Sequence, residues 1–162
     1  MSSDDTLNHA LVLGASGIVG WAVVNALLSS YPAADSFASV TALSNRPIDP
    51  ETTLWPENAK LRLVSGIDLL EGEQGDLEMV LREQVKVIRE GRVTHVFFCA
   101  YVWDADGRRE CVVNSRLLGR TIEAVENCCE GLRMVVLPLG AKVRAVSFGS
   151  NPFSALSKFV AS

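Results

Sequence analysis

The chain has 162 residues, 48% of them hydrophobic, enough to bury one sizeable core with little room for a second domain. A net charge of -4 and a pI near 5.2 give no support for a nucleic-acid surface, although a phosphate-bearing ligand needs only a local positive field. The four cysteines, Cys99, Cys111, Cys128 and Cys129, show no metal-ligand spacing and read as buried thiols of a reducing compartment, so no metal is expected.

Residues 1 to 9 are polar and acidic, with no cationic region before an apolar stretch. Neither a signal peptide nor a membrane anchor is suggested, and cytoplasmic residence follows by default. The short apolar strand Ala10 to Leu13 then runs into Gly14-Ala15-Ser16-Gly17-Ile18-Val19-Gly20. A GxxGxxG run between a strand and a helix reads as a dinucleotide-binding turn. Gly14 makes the turn, Gly17 admits the pyrophosphate to the helix N-terminus, and Gly20 lets the helix pack on the strand. Three glycines could also simply mark turns.

Residues 18 to 29 place Ile18, Ala22, Val23, Ala26 and Leu27 on one helical face, and Tyr31-Pro32 ends it. Ser39 to Leu43 is a second strand. Asn45-Arg46-Pro47 and Asp49-Pro50 open a loop that continues past Trp55 and Pro56, and Leu61 to Val64 is the third strand. From Asp76 to Ile88, Leu77, Val80, Leu81, Val85 and Ile88 keep a helical period. Val93 to Cys99 is a nearly unbroken apolar strand, as expected where both faces of a parallel sheet are covered. Residues 112 to 129 read as a helix with Leu118, Ile122, Val125 and Cys129 on one stripe, and Leu132 to Leu137 is a fifth strand. Strand and helix alternate, so the expected fold is doubly wound α/β: a parallel, Rossmann-like sheet of about five strands. From Leu139 onward the periodicity fails. Asn151-Pro152 is a turn signal, and Phe153 to Phe159 could form a short helix.

The stretches LVLGASGIVG, LSNRP, SGIDLL, VTHVFFCAYVW, VNSRLL and VVLPLGAK, within residues 1 to 142, together resemble the N-terminal half of an extended, atypical short-chain dehydrogenase/reductase. The closest resemblance is to the progesterone 5β-reductase and iridoid synthase-like enone reductases. That resemblance implies an NADP(H)-binding domain over 1 to 142, followed by a divergent tail over 143 to 162 with no substrate lobe, as in a truncated product. It places the 2′-phosphate of NADPH on Ser44-Asn45-Arg46. A physical reading of the same segment agrees, because an acidic residue there would favour a ribose 2′-OH whereas an Arg accommodates a phosphate. Arg46 could equally be a solvated charge before Pro47. The resemblance also puts Asp68 against the adenine, though the carboxylate could instead cap the next turn. It lays Phe98-Cys99-Ala100-Tyr101 along the pyrophosphate and ribose and sets Trp103 at the nicotinamide or substrate mouth, or over the sheet edge. The cofactor-contact set is thus Gly14, Ser16, Gly17, Ile18, Gly20, Ser44, Asn45, Arg46, Asp68, Ala100 and Tyr101.

The reaction centre is the part that departs from the family. Its usual Tyr and Lys pair is absent: the two tyrosines are Tyr31 and Tyr101, and neither has a Lys four residues on. In the enone reductases the Lys stands in a TGxK segment after the fifth strand. Lys142, in Leu139-Gly140-Ala141-Lys142, falls on that position with Leu139 replacing the Thr, and is the sole catalytic candidate. The resemblance implies NADPH-dependent reduction of an enone or carbonyl of a small metabolite, in secondary metabolism. The alternative is a catalytically inactive nucleotide-binding remnant or regulatory module. The expected partner is a small-molecule substrate rather than nucleic acid or membrane, with association through an exposed sheet edge beside strand five unless Phe148, Phe153, Leu156 and Phe159 fold back over it.

Overall fold

The computed structural model describes residues 7–29, 31, 33 and 36–138. Five strands, β1 (His9–Leu13), β2 (Ser39–Ser44), β3 (Leu61–Ser65), β4 (His95–Phe98) and β5 (Met134–Val136), form one parallel sheet in the order β3-β2-β1-β4-β5. The helices are α1 (Ile18–Leu28), α2 (Gln74–Gln84), α3 (Lys86–Arg89) and α4 (Gly107–Cys128). Side chains alternate across each strand. Leu11, Leu13 and Leu43 therefore join Leu77, Leu81, Ile88, Leu117 and Val125 on the face covered by α2, α3 and α4. Ala10, Val12, Val40 and Ala42 meet Val24, Leu28, Phe37 and Trp55 on the α1 face. β1 is buried throughout, as a central parallel strand covered on both faces must be.

The helix faces differ from the periodicity in ways that packing explains. On α1 the buried line is Gly20, Val24 and Leu28, whereas Ile18 is 90% exposed and Ala22 is also exposed. A Cβ on Gly20 would lie 2.2 Å from the Gly14 carbonyl oxygen, so the bare residue sets the helix's rotation and Ile18 projects past the end of the sheet. The helix expected over Asp76 to Ile88 is two. Val85 has extended backbone between α2 and α3, and this break lets Val85, Val87 and Ile88 all bury. α2 begins at Gln74 because Glu73 and Asp76 form a capping box.

α4 starts at Gly107, ahead of the expected 112, because the Asp106 side chain accepts from the Arg108 and Arg109 amides. Its buried stripe includes Leu117, Thr121, Ile122, Ala124, Val125 and Cys128, with Leu118 only half-buried. β2 and β3 each extend one residue further, to Ser44 and Ser65, while β4 and β5 are shorter than expected. The β2–β3 crossover, residues 45–60, contains no helix, so strand and helix do not alternate at every step.

Candidate functional site

The chain leaves β1 for β2 on one side and reaches β4 on the other, so the topology reverses between β1 and β4. In open α/β sheets that reversal leaves a crevice at the carboxyl ends of the strands. Gly14 sits at its base with φ +79°, and both Gly14 and Ala15 donate their amides to the Leu43 carbonyl at 3.0 Å. A Cβ on Gly14 would stand 2.6 Å from the Ala100 backbone. The turn after β1 and the end of β4 are therefore in direct apposition, which the left-handed, side-chain-free Gly14 permits.

Gly17 caps α1 with extended backbone (φ −81°, ψ 163°), no side chain caps that helix, and its first turn carries no acidic residue. A Cβ at Gly17 would meet only the Gly14 carbonyl, at an ordinary 3.5 Å. The glycine is thus not demanded by its protein neighbours, in contrast to Gly14 and Gly20. An uncapped helix N-terminus offers amide donors and the positive end of the helix dipole to an anion. These are the features a pyrophosphate cradle requires, and the residues present fit one.

Ser16, in the same turn, is joined to β2 by the Ser44 hydroxyl, which donates to the Ser16 hydroxyl at 2.8 Å. Asn45 and Arg46 follow at the strand end, both exposed. Asp68, just after β3, uses Oδ1 to accept the Leu70 amide at 2.9 Å, so it does cap its own turn. Ala100 and Tyr101 follow β4. The Tyr101 hydroxyl donates to Glu110 Oε1, and this bond holds the phenol's pKa above its ordinary value of 10.0. Cys99, beside Gly14, is half-buried and its thiol is pushed up to about 11 by burial, so it is no nucleophile near neutrality. Trp103 is 72% exposed.

The structure brings Gly14 against Ala100 and Ser16 against Ser44, with Gly17, Ile18 and Gly20 at the start of α1. Lys142 and the boundary at 142 lie outside the described residues, as do Phe148, Phe153, Leu156 and Phe159. β5 pairs only with β4 among the described residues, and Met134 on it is half exposed. No helix among them is long and apolar enough to cross a membrane.

The family model of the PRISE-like Rossmann-fold domain matches residues 10–160, nearly the whole chain. The chain belongs to that family. Among curated relatives, the short chain dehydrogenase ausT of Aspergillus calidoustus is 36% identical over 149 residues, covering 89% of this chain and 35% of ausT. Short chain dehydrogenase sirQ of Leptosphaeria maculans is 32% identical over 141 residues, covering 86% of this chain and 35% of sirQ. The chain thus spans about a third of the length of these relatives. The fold is shared with a short chain dehydrogenase/reductase from Saccharomyces cerevisiae (TM-score 0.58, 18% identity, 94% of this chain and 62% of that one). It is also shared with the UDP-glucuronic acid 4-epimerase of Bacillus cereus (TM-score 0.53, 16% identity, 86% and 42%).

Three supports of this PRISE-like site escape the sequence reading. Asn114 on α4 accepts the Val102 amide at 2.9 Å and donates to the Val102 carbonyl at 2.7 Å, pinning the loop after β4. Its signal is a polar residue on the inward side of an amphipathic helix, inside the VNSRLL stretch. Arg120, also on α4, is buried and donates to the carbonyls of Glu71, Gly72 and Glu73, fixing the segment that follows Asp68. Trp21 and Trp55 tie the β2–β3 crossover to α1, and nothing in the periodicity marks either.

Proposed function

We propose that this chain forms the nucleotide-binding domain of an NADPH-dependent short-chain dehydrogenase/reductase that reduces an enone or carbonyl of a small metabolite. The observation that carries the reading is the apposition of Gly14 and Ala100 beneath an uncapped α1 N-terminus at the point where the sheet reverses. Backbone amides at the start of α1 would hold the pyrophosphate, and Ser16, Ser44, Asn45 and Arg46 would gather round the 2′-phosphate. Asp68 would face the adenine side, while Ala100 and Tyr101 would border the ribose. When bound, NADPH supplies the hydride. Lys142 would hold ribose hydroxyls or a developing oxyanion. Reductive tailoring in secondary metabolism fits the fungal relatives named short chain dehydrogenases.

One observation favours a second reading, a nucleotide-binding module without turnover. The chain has two tyrosines, and the hydroxyl of Tyr101 is engaged by Glu110 while Tyr31 lies just past α1, away from the carboxyl ends of the strands. No phenol is poised as a proton donor in the crevice among the described residues.

Calorimetric titration with NADPH and NADH tests the site, and hydride transfer from 4-labelled NADPH to a panel of enones tests the reaction. Saturable NADPH binding with label transfer supports the reductase. Binding without transfer supports the module, and binding of neither nucleotide overturns both.

A further inference from the structure

The segment between β2 and β3 carries the residue proposed to select the cofactor, yet it has no helix to hold it. Two indoles hold it instead. Trp21 on α1 donates its Nε1–H to the Thr53 carbonyl at 2.6 Å, and Trp55 in the crossover donates its Nε1–H back to the Trp21 carbonyl at 3.1 Å. Between these two bonds Leu54 has φ +55°, the single non-glycine residue with positive φ among the described residues, and its side chain is 82% exposed. A left-handed leucine that buries nothing persists only where its surroundings impose it. Here the reversal at Leu54 allows Thr53 to meet one indole while Trp55 turns into the core beside Val12 and Val24.

The clamped segment is also knotted on itself. Thr52 donates its amide and its hydroxyl to the Asp49 carbonyl, Thr53 Oγ1 donates to the Pro50 carbonyl, and Asp49 Oδ1 accepts the Glu51 amide. Ser65 at the end of β3 accepts the Ile48 amide at 3.2 Å. Residues 47 to 55 therefore form a strap with fixed shape. It faces the glycine turn across a cavity of about 240 Å³, lined by Ala15 and Ser16 on one side and Pro47, Ile48, Asp49 and Thr52 on the other, with both indoles at its wall.

Arg46 stands between two fixed points. On its N-terminal side Ser44 is bonded to Ser16, and on its C-terminal side Pro47 begins the strap. Proline locks its own φ and biases the residue before it towards extended backbone, so the strap's position is passed to Arg46 rather than absorbed by the linkage. We infer that Trp21 and Trp55 are positioning residues that set the preference for a 2′-phosphorylated cofactor, by holding the strap that fixes the backbone following Arg46. This rests on the nucleotide-binding reading above and adds to it where the selectivity is stored.

The test is the ratio of NADPH to NADH affinity, measured by calorimetry on the whole chain for the wild type and for Trp21→Phe, Trp55→Phe, Ser65→Ala and Arg46→Ala. Phenylalanine keeps one aromatic ring in place and deletes the N–H donor together with part of the indole's packing. A merely structural loss would weaken both nucleotides alike, whereas a displaced Arg46 weakens NADPH alone. Trp21→Phe is expected to lower the ratio by about three- to tenfold, as for the loss of one hydrogen bond, with NADH affinity unchanged. Ser65→Ala loosens the same strap from β3 and is expected to lower the ratio in the same direction, so it decides the matter if either indole variant fails to fold. An unchanged ratio in every folded strap variant, while Arg46→Ala removes the preference, overturns the indole clamp and leaves the nucleotide site standing. A wild type that prefers NADH, with Asp49 in the cavity taking the ribose hydroxyl, or that binds neither nucleotide, overturns both.

Discussion

The Ser44 hydroxyl donates to the Ser16 hydroxyl at 2.8 Å, linking the last residue of β2 to the centre of the glycine turn. Ser44 is buried and Ser16 is exposed, so the bond fixes a solvent-facing group from inside the sheet. Ser44→Ala should cost about 1 kcal/mol of stability, the typical net value of one hydrogen bond. It should also weaken NADPH binding more than NADH binding, because Ser16 lies on the side of the turn where the 2′-phosphate is proposed to sit. Chemical denaturation and paired titrations measure the two effects, and equal weakening of both nucleotides would argue against that placement.

The three glycines of the turn should separate by experiment. Gly17 has extended backbone and room for a Cβ, so Gly17→Val should melt within a few degrees of the wild type and lose nucleotide binding. Gly20→Ala would drive a methyl into the Gly14 carbonyl and should destabilise the fold itself, by roughly 1–3 kcal/mol as overpacking does. Circular dichroism melts paired with calorimetry test this. A folded Gly17→Val that binds NADPH as the wild type does would reject the pyrophosphate cradle.

Arg46→Ala should lower NADPH affinity by roughly 10- to 150-fold, the range for a hydrogen bond to a charged group, and leave NADH affinity unchanged. Because the interaction joins exposed charges, the difference should shrink as salt rises. Titrations at low and high ionic strength provide the check, and a salt-independent loss would point to a structural role instead.

Asn114→Leu should release the loop after β4, since the amide satisfies both the N–H and the C=O of Val102 and also donates to the Glu110 carbonyl at 2.8 Å. The cost is expected at roughly 1–3 kcal/mol. Hydrogen exchange at the Val102 amide should accelerate in the variant while exchange in β1 stays slow. Unaltered protection at Val102 would show that the loop is held by something else.

Burial lifts Cys99 to about 11 and Cys129 to about 12, from an ordinary value of 9.0. Both folded-state values are raised, so the folded chain keeps protons that the unfolded chain releases above pH 9. The resulting stability is complete below pH 9 and is lost as pH rises through 11 to 12. Denaturant midpoints should accordingly fall across that alkaline range, and less so in Cys99→Ala or Cys129→Ala. A flat profile between pH 9 and 11 would contradict it.

The element types and the turn were legible because their signals are local. An apolar strand buried on both faces is an unbroken run of hydrophobic residues, and a tight strand-to-helix turn is a spacing of glycines. β1 through β5 and the role of Gly14 and Gly20 in the turn follow from Ala10–Gly20 and the later apolar runs. What the sequence did not reveal depends on which surfaces meet. The rotation of α1 was set by Gly20 lying on the Gly14 carbonyl, a contact with no helical period, and so Ile18 points outward where its pattern expected burial. The break at Val85 and the polar start of α4 were hidden because a cap is one hydrogen bond rather than a repeat. The Trp21–Thr53, Ser16–Ser44 and Val102–Asn114 bonds join residues 12 to 32 positions apart. Sequence determined which groups could make such bonds, but only the packed sheet decided their partners, because a hydrogen bond's direction and reach are properties of neighbours in space.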